Sequence, residues 1–298
     1  MIPAIELSHV TKRFESQTAV DDLSLQIAPG TKFGLIGVNG AGKSTSIRMM
    51  LGLLRPDAGA ARILGRDPRV EPAWCKRRIG YVPEAHLMHR WMTVDQLLGF
   101  CRGVHPEWDI ELCAGLVKQF GLHGAKRVGA LSKGMLAKLS LVIALSYRPP
   151  ILILDEPTSG LDPIVREDFL EGILGAEGDA EQAVLFSSHI LSDVERLADT
   201  IGILHEGRLL AVAPTDELMR SIKRVRLVLP DANTSASLPP GVVWQSRDRR
   251  EWLMTVRDFS AETVGRLRSS CPEARVDVFD LSIEEIFKDF VRGKAGTT

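Results

Sequence analysis

The segment 37–45 reads Gly-Val-Asn-Gly-Ala-Gly-Lys-Ser-Thr and constrains the fold more than any other part of the chain. It follows a short apolar run, 32–36, and precedes a stretch, 44–51, that can open a helix. Glycines between a buried strand and a helix let backbone N–H groups converge on a polyphosphate, and the helix N-terminus adds partial positive charge. The spacing therefore predicts a phosphate-binding loop in which Lys43 reaches the β- and γ-phosphates and the Ser44 hydroxyl holds Mg²⁺.

Short apolar runs alternate with helical patterns up to about residue 220, which predicts a parallel sheet covered by helices. The runs 151–154 and 183–186 are continuous, as in strands buried on both faces. Between them, 163–174 reads as a helix that begins with proline. Residues 92–130 contain two amphipathic helical patterns, with Thr93 and Asp109 as their expected N-caps, and no strand pattern, which indicates a helical insertion in the α/β layer.

A different pattern follows and predicts a small α+β domain at the C-terminal end of the chain. Strand-like runs surround one helical pattern, and a second helix begins at a capping box formed by Ser282 and Glu285. The final residues, 293–298, are expected to fray. We therefore place the domain boundary between 1–222 and 223–298.

Two acids end the run 151–154, beside the expected phosphate-binding loop. A carboxylate at the C-terminal end of such a strand is well placed to hold Mg²⁺, which assigns that role to Asp155. Glu156 points elsewhere and can polarise a water for attack on the γ-phosphate. His189 follows the other buried run and is expected at the same sheet edge, where an imidazole can contact the γ-phosphate. With Lys43, these side chains form the predicted catalytic group.

Another apolar helix begins in the segment 131–135, Leu-Ser-Lys-Gly-Met. Ser132 is a good N-cap, and Gly134 leaves a bare amide near the helix start. A helix end of this kind favours a negatively charged ligand. On spacing alone, a second anion site and a simple cap both stay open.

Net charge and hydropathy exclude several classes of protein. The formal net charge is −1, whereas a nucleic-acid-binding protein would usually be basic. No apolar run approaches the roughly 18 residues of a membrane span. The N-terminus lacks the basic start and apolar stretch of a signal peptide. The four cysteines form no Cys-x-x-Cys pair, and reduced thiols in a cytosolic setting fit them best.

In this order, the motifs resemble the nucleotide-binding subunit of an ATP-binding cassette (ABC) transporter over about residues 4–220. The phosphate loop is similar to Walker A, 151–156 to Walker B with its catalytic glutamate, 159–162 to the D-loop, 131–135 to the signature and His189 to the switch histidine. The resemblance implies an α/β P-loop cassette with an N-terminal antiparallel β part, a parallel core sheet and a helical subdomain at about 84–147.

The resemblance also implies the residues that bind ATP and Mg²⁺. Phe14 lies where the family places an aromatic ring that stacks on adenine. Glu84 stands where the family usually carries glutamine, and it adds a negative charge near the phosphates. The expected nucleotide contacts are Phe14, Val20, Asn39, Gly40, Ala41, Gly42, Lys43, Ser44, Thr45 and Glu84, and the expected Mg²⁺ ligands are Ser44, Asp155 and Glu84.

In this family two nucleotide-binding domains meet head to tail, with ATP between the Walker A loop of one and the signature of the other. ATP holds the two domains together, and its hydrolysis lets them separate. The resemblance implies pairing with a second copy or a related subunit, and with separate transmembrane permease subunits at the cytoplasmic face of the membrane. The residues expected to act on the partner's nucleotide are Ser132, Lys133, Gly134, Met135 and Asp162.

Several departures from the common pattern favour the exporter branch (ABC-2 type), which includes drug and antibiotic exporters. Lys133 and Met135 replace the usual glycine and glutamine of the signature, and that branch tolerates both. The ending 280–287 and the appended C-terminal domain also resemble it. The family docks its permease on the region 84–130. The aromatic and methionine side chains there, which either contact the permease or pack in the core, are Trp91, Met92, Phe100 and Trp108.

The leading prediction is therefore an ATPase that drives export, and two alternatives stay open. One is a non-transport cassette protein of repair or translation. Repair members carry long coiled coils, but the segment from Glu84 to Leu131 is short, and translation members fuse two cassettes. The other is a regulatory module that binds ATP without turnover, against which Glu156 and His189 both argue.

Overall fold

The computed structural model describes residues 2–175, 181–231 and 237–295. The chain divides into two compact units, 1–212 and 213–298. Within the described residues, no helix combines the length and the apolar character needed to cross a bilayer.

The first unit alternates strands and helices along most of its length. In chain order they are β1 (Ile5–Phe14), β2 (Gln17–Ile27), β3 (Lys32–Ile36), α1 (Lys43–Met50), β4 (Ala58–Ile63), α2 (Pro72–Lys76), β5 (Ile79–Val82), α3 (Val94–Val104), α4 (Ile110–Gln119), α5 (Lys133–Leu145), β6 (Ile151–Asp155), α6 (Pro163–Gly175), β7 (Ala183–Ser188), α7 (Leu191–Leu197), β8 (Thr200–His205) and β9 (Arg208–Pro214). Strand β9 crosses the boundary between the units, which lies upstream of the boundary placed from the sequence after residue 222.

A six-stranded sheet in the order β5-β6-β7-β3-β8-β9 forms the centre of the first unit. The pairs from β5 to β8 are all parallel. All residues of β6 and β7 are buried, as expected for strands with both faces covered. The turn to β9 uses Glu206 and Gly207, both at positive φ, which matches a tight hairpin. The predicted α/β class with a parallel core sheet is confirmed.

The carboxyl ends of parallel strands meet at one edge of a sheet, and this edge positions the candidate site. The loop after β3 is the predicted phosphate-binding loop, β6 ends at Asp155, and His189 follows β7 directly. A separate antiparallel sheet in the order β2-β1-β4 supplies the expected N-terminal β part. Phe14 ends β1 and pairs with Gln17 across a hairpin.

The helical insertion consists of α3, α4 and the start of α5. Thr93 caps α3 in a capping box with Gln96, and the Asp109 side chain accepts a hydrogen bond from Leu112 N at 2.8 Å to cap α4. Ser132 caps α5. These three N-caps are the ones that the sequence predicts, because each is a side chain that satisfies an otherwise unpaired amide.

The second unit is an antiparallel sheet with helices, as predicted for an α+β domain. Its elements are α8 (Thr215–Ser221), β10 (Lys223–Val228), β11 (Val242–Asp248), β12 (Glu251–Val256), α9 (Ala261–Ser270), β13 (Arg275–Asp280) and α10 (Ile283–Ala295), with the strand order β11-β12-β10-β13. The Ser282–Glu285 capping box is present at the start of α10. Of the end expected to fray, 293–295 continue α10, and 296–298 lie outside the described residues.

A buried ion pair joins α10 to the sheet of the second unit. Asp289, on α10, is 2% exposed. Its Oδ2 accepts hydrogen bonds from Arg224 Nη2 on β10 at 2.6 Å and from Thr255 Oγ1 on β12 at 2.5 Å. The charge of a carboxylate this deeply buried must be balanced by the Arg224 guanidinium, because water has too little access to solvate it.

We expect Arg224→Met to lower the free energy of unfolding of the second unit by about 3–5 kcal/mol, since Asp289 then stays buried without its cation. Urea unfolding of the full chain, with hydrogen exchange of the α10 amides to localise the effect, measures this loss. The matched control is Arg266→Met, which removes an exposed pair with Glu262 and should cost under about 0.5 kcal/mol. Equal losses of unfolding free energy in the two variants would show that the Arg224–Asp289 pair stabilises the unit no more than an exposed ion pair does.

Candidate active site

The phosphate-binding loop depends on glycine at two positions with left-handed backbone. Gly40 has φ +82° and Gly42 has φ +104°. A Cβ on Gly42 would lie 2.4 Å from the carbonyl oxygen of Ala19, so no other residue fits there without moving backbone. Gly42 is also the N-cap of α1 and offers no side-chain cap. The first amides of α1 are therefore left for an anionic ligand.

A cleft of about 510 Å³ opens over this loop, a volume within the range of small-molecule sites. Its lining residues are Phe14, Gln17, Ala19, Asn39, Gly40, Ala41, Gly42, Lys43, Ser44, Thr45, Glu84, Glu156, Ser159 and His189. Nearly all of the predicted nucleotide contacts thus lie around one cleft. Val20 is the exception: it is fully buried and packs under Gly42, while its neighbour Ala19 lines the cleft.

Glu156 connects two other candidate catalytic side chains. Its Oε1 lies 2.9 Å from Lys43 Nζ, and its Oε2 lies 2.6 Å from His189 Nδ1. Lys43 and Glu156 are 5% and 8% exposed, whereas His189 is 41% exposed. Although Lys43 neutralises its charge, Glu156 Oε1 accepts no well-directed hydrogen bond and is buried. That oxygen can therefore accept a hydrogen bond from a donor that enters the cleft, such as a water.

The Lys43 ammonium lies against its own loop. It donates hydrogen bonds to the carbonyl oxygens of Gly37 at 2.6 Å and Val38 at 3.2 Å. With the ion pair to Glu156, these contacts give the Lys43 ammonium three partners. A bound phosphate must compete with all three partners, because an ammonium group has three donors.

The backbone of Glu156 separates its side chain from that of Asp155. Glu156 has φ +47°, a left-handed conformation that costs a non-glycine residue about 1–3 kcal/mol. The Glu156 N–H is held at 2.9 Å by Ser187 Oγ. Strain of this size is retained only where neighbouring contacts impose it. The left-handed conformation directs the carboxylates of Asp155 and Glu156 into different surroundings.

Asp155 is buried and forms an oxygen-rich group with two serines. Its Oδ1 accepts hydrogen bonds from Ser44 Oγ at 3.0 Å and from Ser187 Oγ at 2.8 Å. A carboxylate beside a hydroxyl at the phosphate end of a cleft is a donor set that suits Mg²⁺. Burial, with the nearby Asp155 carboxylate, raises the pKa of Tyr81 to about 12, so this phenol stays neutral at pH 7.

The loop that carries Glu84 is anchored to α5. His86 Nδ1 lies 3.0 Å from Ser140 Oγ. Burial, and to a smaller extent the charge of Lys133, lowers the pKa of His86, so the imidazole is neutral at pH 7. Glu84 itself is exposed at the edge of the cleft.

The residues assigned to a partner's nucleotide lie outside this cleft, at the starts of α5 and α6. Ser132 Oγ accepts a hydrogen bond from Met135 N at 3.3 Å, and Asp162 Oδ1 accepts one from Val165 N at 3.0 Å. Gly134 packs against Val165, where a Cβ would lie 2.5 Å from Cγ1. Lys133 Nζ donates to the carbonyl oxygen of Ser159, a cleft residue, at 2.6 Å. The signature segment therefore contacts the D-loop directly.

Sequence reasoning missed four residues of the site. Gln17 lines the cleft because the hairpin sets it opposite Phe14, and Ala19 follows two residues later on the same face of β2. Ser159 lines the cleft within the D-loop. Ser187 pairs with Asp155 in the register of β6 and β7. The turn at 15–16 is Glu-Ser, which is not a typical hairpin pair. Neither Gln17 nor Ser187, which depends on strand register, therefore had a local signal in the sequence.

Comparisons with known proteins agree with this geometry. The family described as ABC transporter matches residues 20–159. The bacitracin transport ATP-binding protein BcrA of Bacillus licheniformis is 37% identical, over 80% of this chain and 79% of that protein. The daunorubicin/doxorubicin resistance ATP-binding protein DrrA of Streptomyces peucetius is 37% identical, over 78% and 72%. A solved ATP-binding subunit of an ABC transporter superposes with a TM-score of 0.67 at 31% identity, over 73% of this chain and 92% of that chain.

We expect Gly42→Ala to destabilise the nucleotide-free protein much more than Gly40→Ala. Both positions have positive φ, but a Cβ on Gly40 meets nothing within 4 Å, whereas one on Gly42 meets a backbone carbonyl. The strain at Gly40 should cost about 1–2 kcal/mol, and the clash at Gly42 should add to a similar strain. Urea unfolding without nucleotide measures both, and equal losses would show that the close approach to Ala19 is unimportant.

Proposed function

The chain belongs to the family of ABC transporter ATP-binding subunits, which are ATPases, and we propose that Glu156, His189 and Lys43 carry out its ATP hydrolysis. As in the relatives named for antibiotic transport and drug resistance, the chain serves an exporter. The observation that carries the proposal is the chain of contacts from Lys43 through Glu156 to His189 inside the cleft. A cation can stabilise charge on the γ-phosphate, a carboxylate can take the proton of the attacking water, and the imidazole can hold that carboxylate in place.

In the proposed mechanism, ATP draws Lys43 away from its loop. The ammonium exchanges the carbonyl oxygens of Gly37 and Val38 for the β- and γ-phosphates, while the loop amides hold the same groups. Glu156 Oε1 then accepts a hydrogen bond from the attacking water and takes its proton as the new P–O bond forms and the bond to the β-phosphate oxygen breaks. His189 holds Glu156 through Oε2 and contacts the γ-phosphate.

Mg²⁺ and adenine would contact different residues of the cleft. Ser44 and Asp155 would hold Mg²⁺, with Glu84 at the rim as a further ligand, and the ion would neutralise charge on the phosphates. Phe14 lines the cleft and is 47% exposed, with Lys12 Nζ 5.5 Å from its ring centre, and this ring is the proposed contact for the base. The remaining proposed nucleotide contacts are Asn39, Gly40, Ala41, Gly42 and Thr45, all of which line the cleft, whereas the buried Val20 packs against Gly42.

We infer that a second copy, or a related subunit, completes the site. Ser132, Lys133 and Asp162 are exposed at helix starts, and no acidic residue lies in the first turn of α5. A helix start with a lysine and no acid suits a phosphate. Two copies arranged head to tail would bring Ser132, Lys133, Gly134, Met135 and Asp162 of each to the nucleotide of the other.

The subunit works with transmembrane permease subunits, and we propose that it does so at the cytoplasmic face of the membrane through the helical insertion. Trp91 and Phe100 are 67% and 52% exposed, and the ring of His89 contacts both, so the three form a continuous patch. Leu87, in the same loop, is 93% exposed. An exposed aromatic patch favours a protein partner. Met92 and Trp108 are only partly exposed and contribute less.

Glu156→Gln tests the catalytic proposal most directly. Because a carboxamide cannot take the proton, we expect ATP turnover to fall at least about a hundredfold, with ATP binding retained. The variant should also elute as an ATP-dependent dimer in size-exclusion chromatography, since hydrolysis no longer releases it. Glu167→Gln, on the exposed face of α6, is the matched control and should hydrolyse ATP normally. Wild-type turnover in Glu156→Gln would remove Glu156 from the mechanism.

Trp91→Asp tests the permease surface. We expect ATP turnover of the isolated subunit to stay within about twofold of wild type, while the fraction bound to membranes that contain the permease falls at least about tenfold, because an interface centre tolerates charge poorly. Val70→Asp, which changes a residue 76% exposed outside the insertion, is the control. Equal losses for both variants would argue for a general effect of surface charge.

A further inference from the structure

We propose that Asp193 is a positioning residue for ATP hydrolysis, which acts by tying the segment that follows Glu156 to the segment that follows His189. The inference rests on the catalytic roles proposed above for Glu156 and His189. It concerns a carboxylate that lies outside the nucleotide cleft and touches neither of them.

Both oxygens of Asp193 are used, although its side chain is only 3% exposed. Oδ2 accepts a hydrogen bond from Thr158 Oγ1 at 2.7 Å. Oδ1 accepts one from Arg166 Nε at 2.6 Å, and Arg166 Nη2 also donates to Ser192 Oγ at 2.7 Å. The buried charge is therefore balanced by one arginine, and the remaining oxygen is committed to Thr158.

These contacts close a ring around the catalytic pair. Glu156 and His189 are joined at 2.6 Å through their side chains. Thr158 lies two residues after the first and Asp193 four residues after the second, and these two are also joined. Two chain segments that are linked at both ends cannot slide past each other without breaking one of the links.

Each segment is stiff enough to transmit the restraint. Pro157, between Glu156 and Thr158, fixes its own φ, and Ser159 N donates to Glu156 O at 3.1 Å. In the other segment Ile190 N donates to Ser188 Oγ at 2.9 Å, which closes the turn around His189. A shift at Thr158 or Asp193 is therefore passed to the catalytic side chains, and small displacements of catalytic groups have large effects on rate.

The restraint also explains how the left-handed backbone of Glu156 is maintained. The Ser187 hydroxyl holds the Glu156 amide on one side. The Thr158–Asp193 hydrogen bond holds the chain two residues further on. Together these contacts fix the strained residue from both directions, as expected where strain persists at a functional site.

Thr158→Val tests the proposal, because it removes only the hydroxyl and leaves the Asp193–Arg166 pair in place. We expect kcat for ATP hydrolysis to fall about tenfold while KM for ATP stays within about twofold. Thr158→Ser restores the hydroxyl and should restore kcat. A residue that only supported the fold would lower stability without this division between kcat and KM or this rescue.

Two further variants make the outcome decisive. Glu167→Gln breaks another pair between α6 and α7, with Arg196, and should leave kcat unchanged. In a double-mutant cycle, Thr158→Val should add little to the loss of kcat caused by Asp193→Ala, since the hydrogen bond between the two residues is already absent in that background. A kcat near wild type in Thr158→Val, an equal loss in Thr158→Ser, or additive losses in the cycle would overturn the positioning role.

The failure of this inference is distinguishable from the failure of the proposed function. If Glu156→Gln abolishes turnover and Thr158→Val does not reduce it, only the role of Asp193 is wrong. If Glu156→Gln turns over ATP like wild type, the catalytic assignment itself is wrong, and the positioning role falls with it.

Discussion

The arrangement of the site depends on one buried carboxylate, that of Glu156. An ionised carboxylate with so little access to water is stable only beside compensating charge and donors, because burial of an unpaired ion is very unfavourable. Lys43 supplies the charge on one side and His189 a ring nitrogen on the other. The same contacts hold the ammonium of Lys43 and the imidazole of His189 on either side of the carboxylate. A single group thus sets the positions of its two neighbours.

The topology of the sheet explains why residues so distant in sequence converge on this carboxylate. β3, β6 and β7 are parallel neighbours, so the chain leaves each of them at the same edge. The loop after β3 carries Lys43, the end of β6 carries Asp155 and Glu156, and the residue after β7 is His189. An antiparallel arrangement of the same strands would send these groups to opposite edges. The parallel core is therefore a condition for the chemistry as well as for the packing.

How much of the molecule was predictable from its sequence depended on whether a feature is set by local residues or by the pairing of distant segments. Continuous apolar strands, N-cap side chains and the glycine spacing are local signals, and they predicted β3, β6, β7, the caps at Thr93, Asp109 and Ser132, and the grouping of Glu156 with His189. Features that depend on register or on a tight turn carried no such signal. Ser187 lies opposite Asp155 only because β6 and β7 align in one register. Along β2, Ala19 faces the cleft and its neighbour Val20, which was expected there, faces the core. Thr158 and Asp193 meet through tertiary packing alone.

The position of Lys43 suggests why a base so close to the cleft need not act before the substrate is correctly bound. The Lys43 ammonium lies 2.9 Å from Glu156 Oε1, the oxygen to which we assign the proton of the attacking water. A negative charge in the loop competes for this ammonium, since both the phosphate and the carboxylate attract it through low-dielectric surroundings. As Lys43 moves toward the phosphate, Glu156 Oε1 loses its contact with the ammonium and can accept a hydrogen bond from the attacking water. Binding of the substrate and release of Glu156 Oε1 from the ammonium are then two consequences of the same movement, which ties hydrolysis to occupancy of the loop.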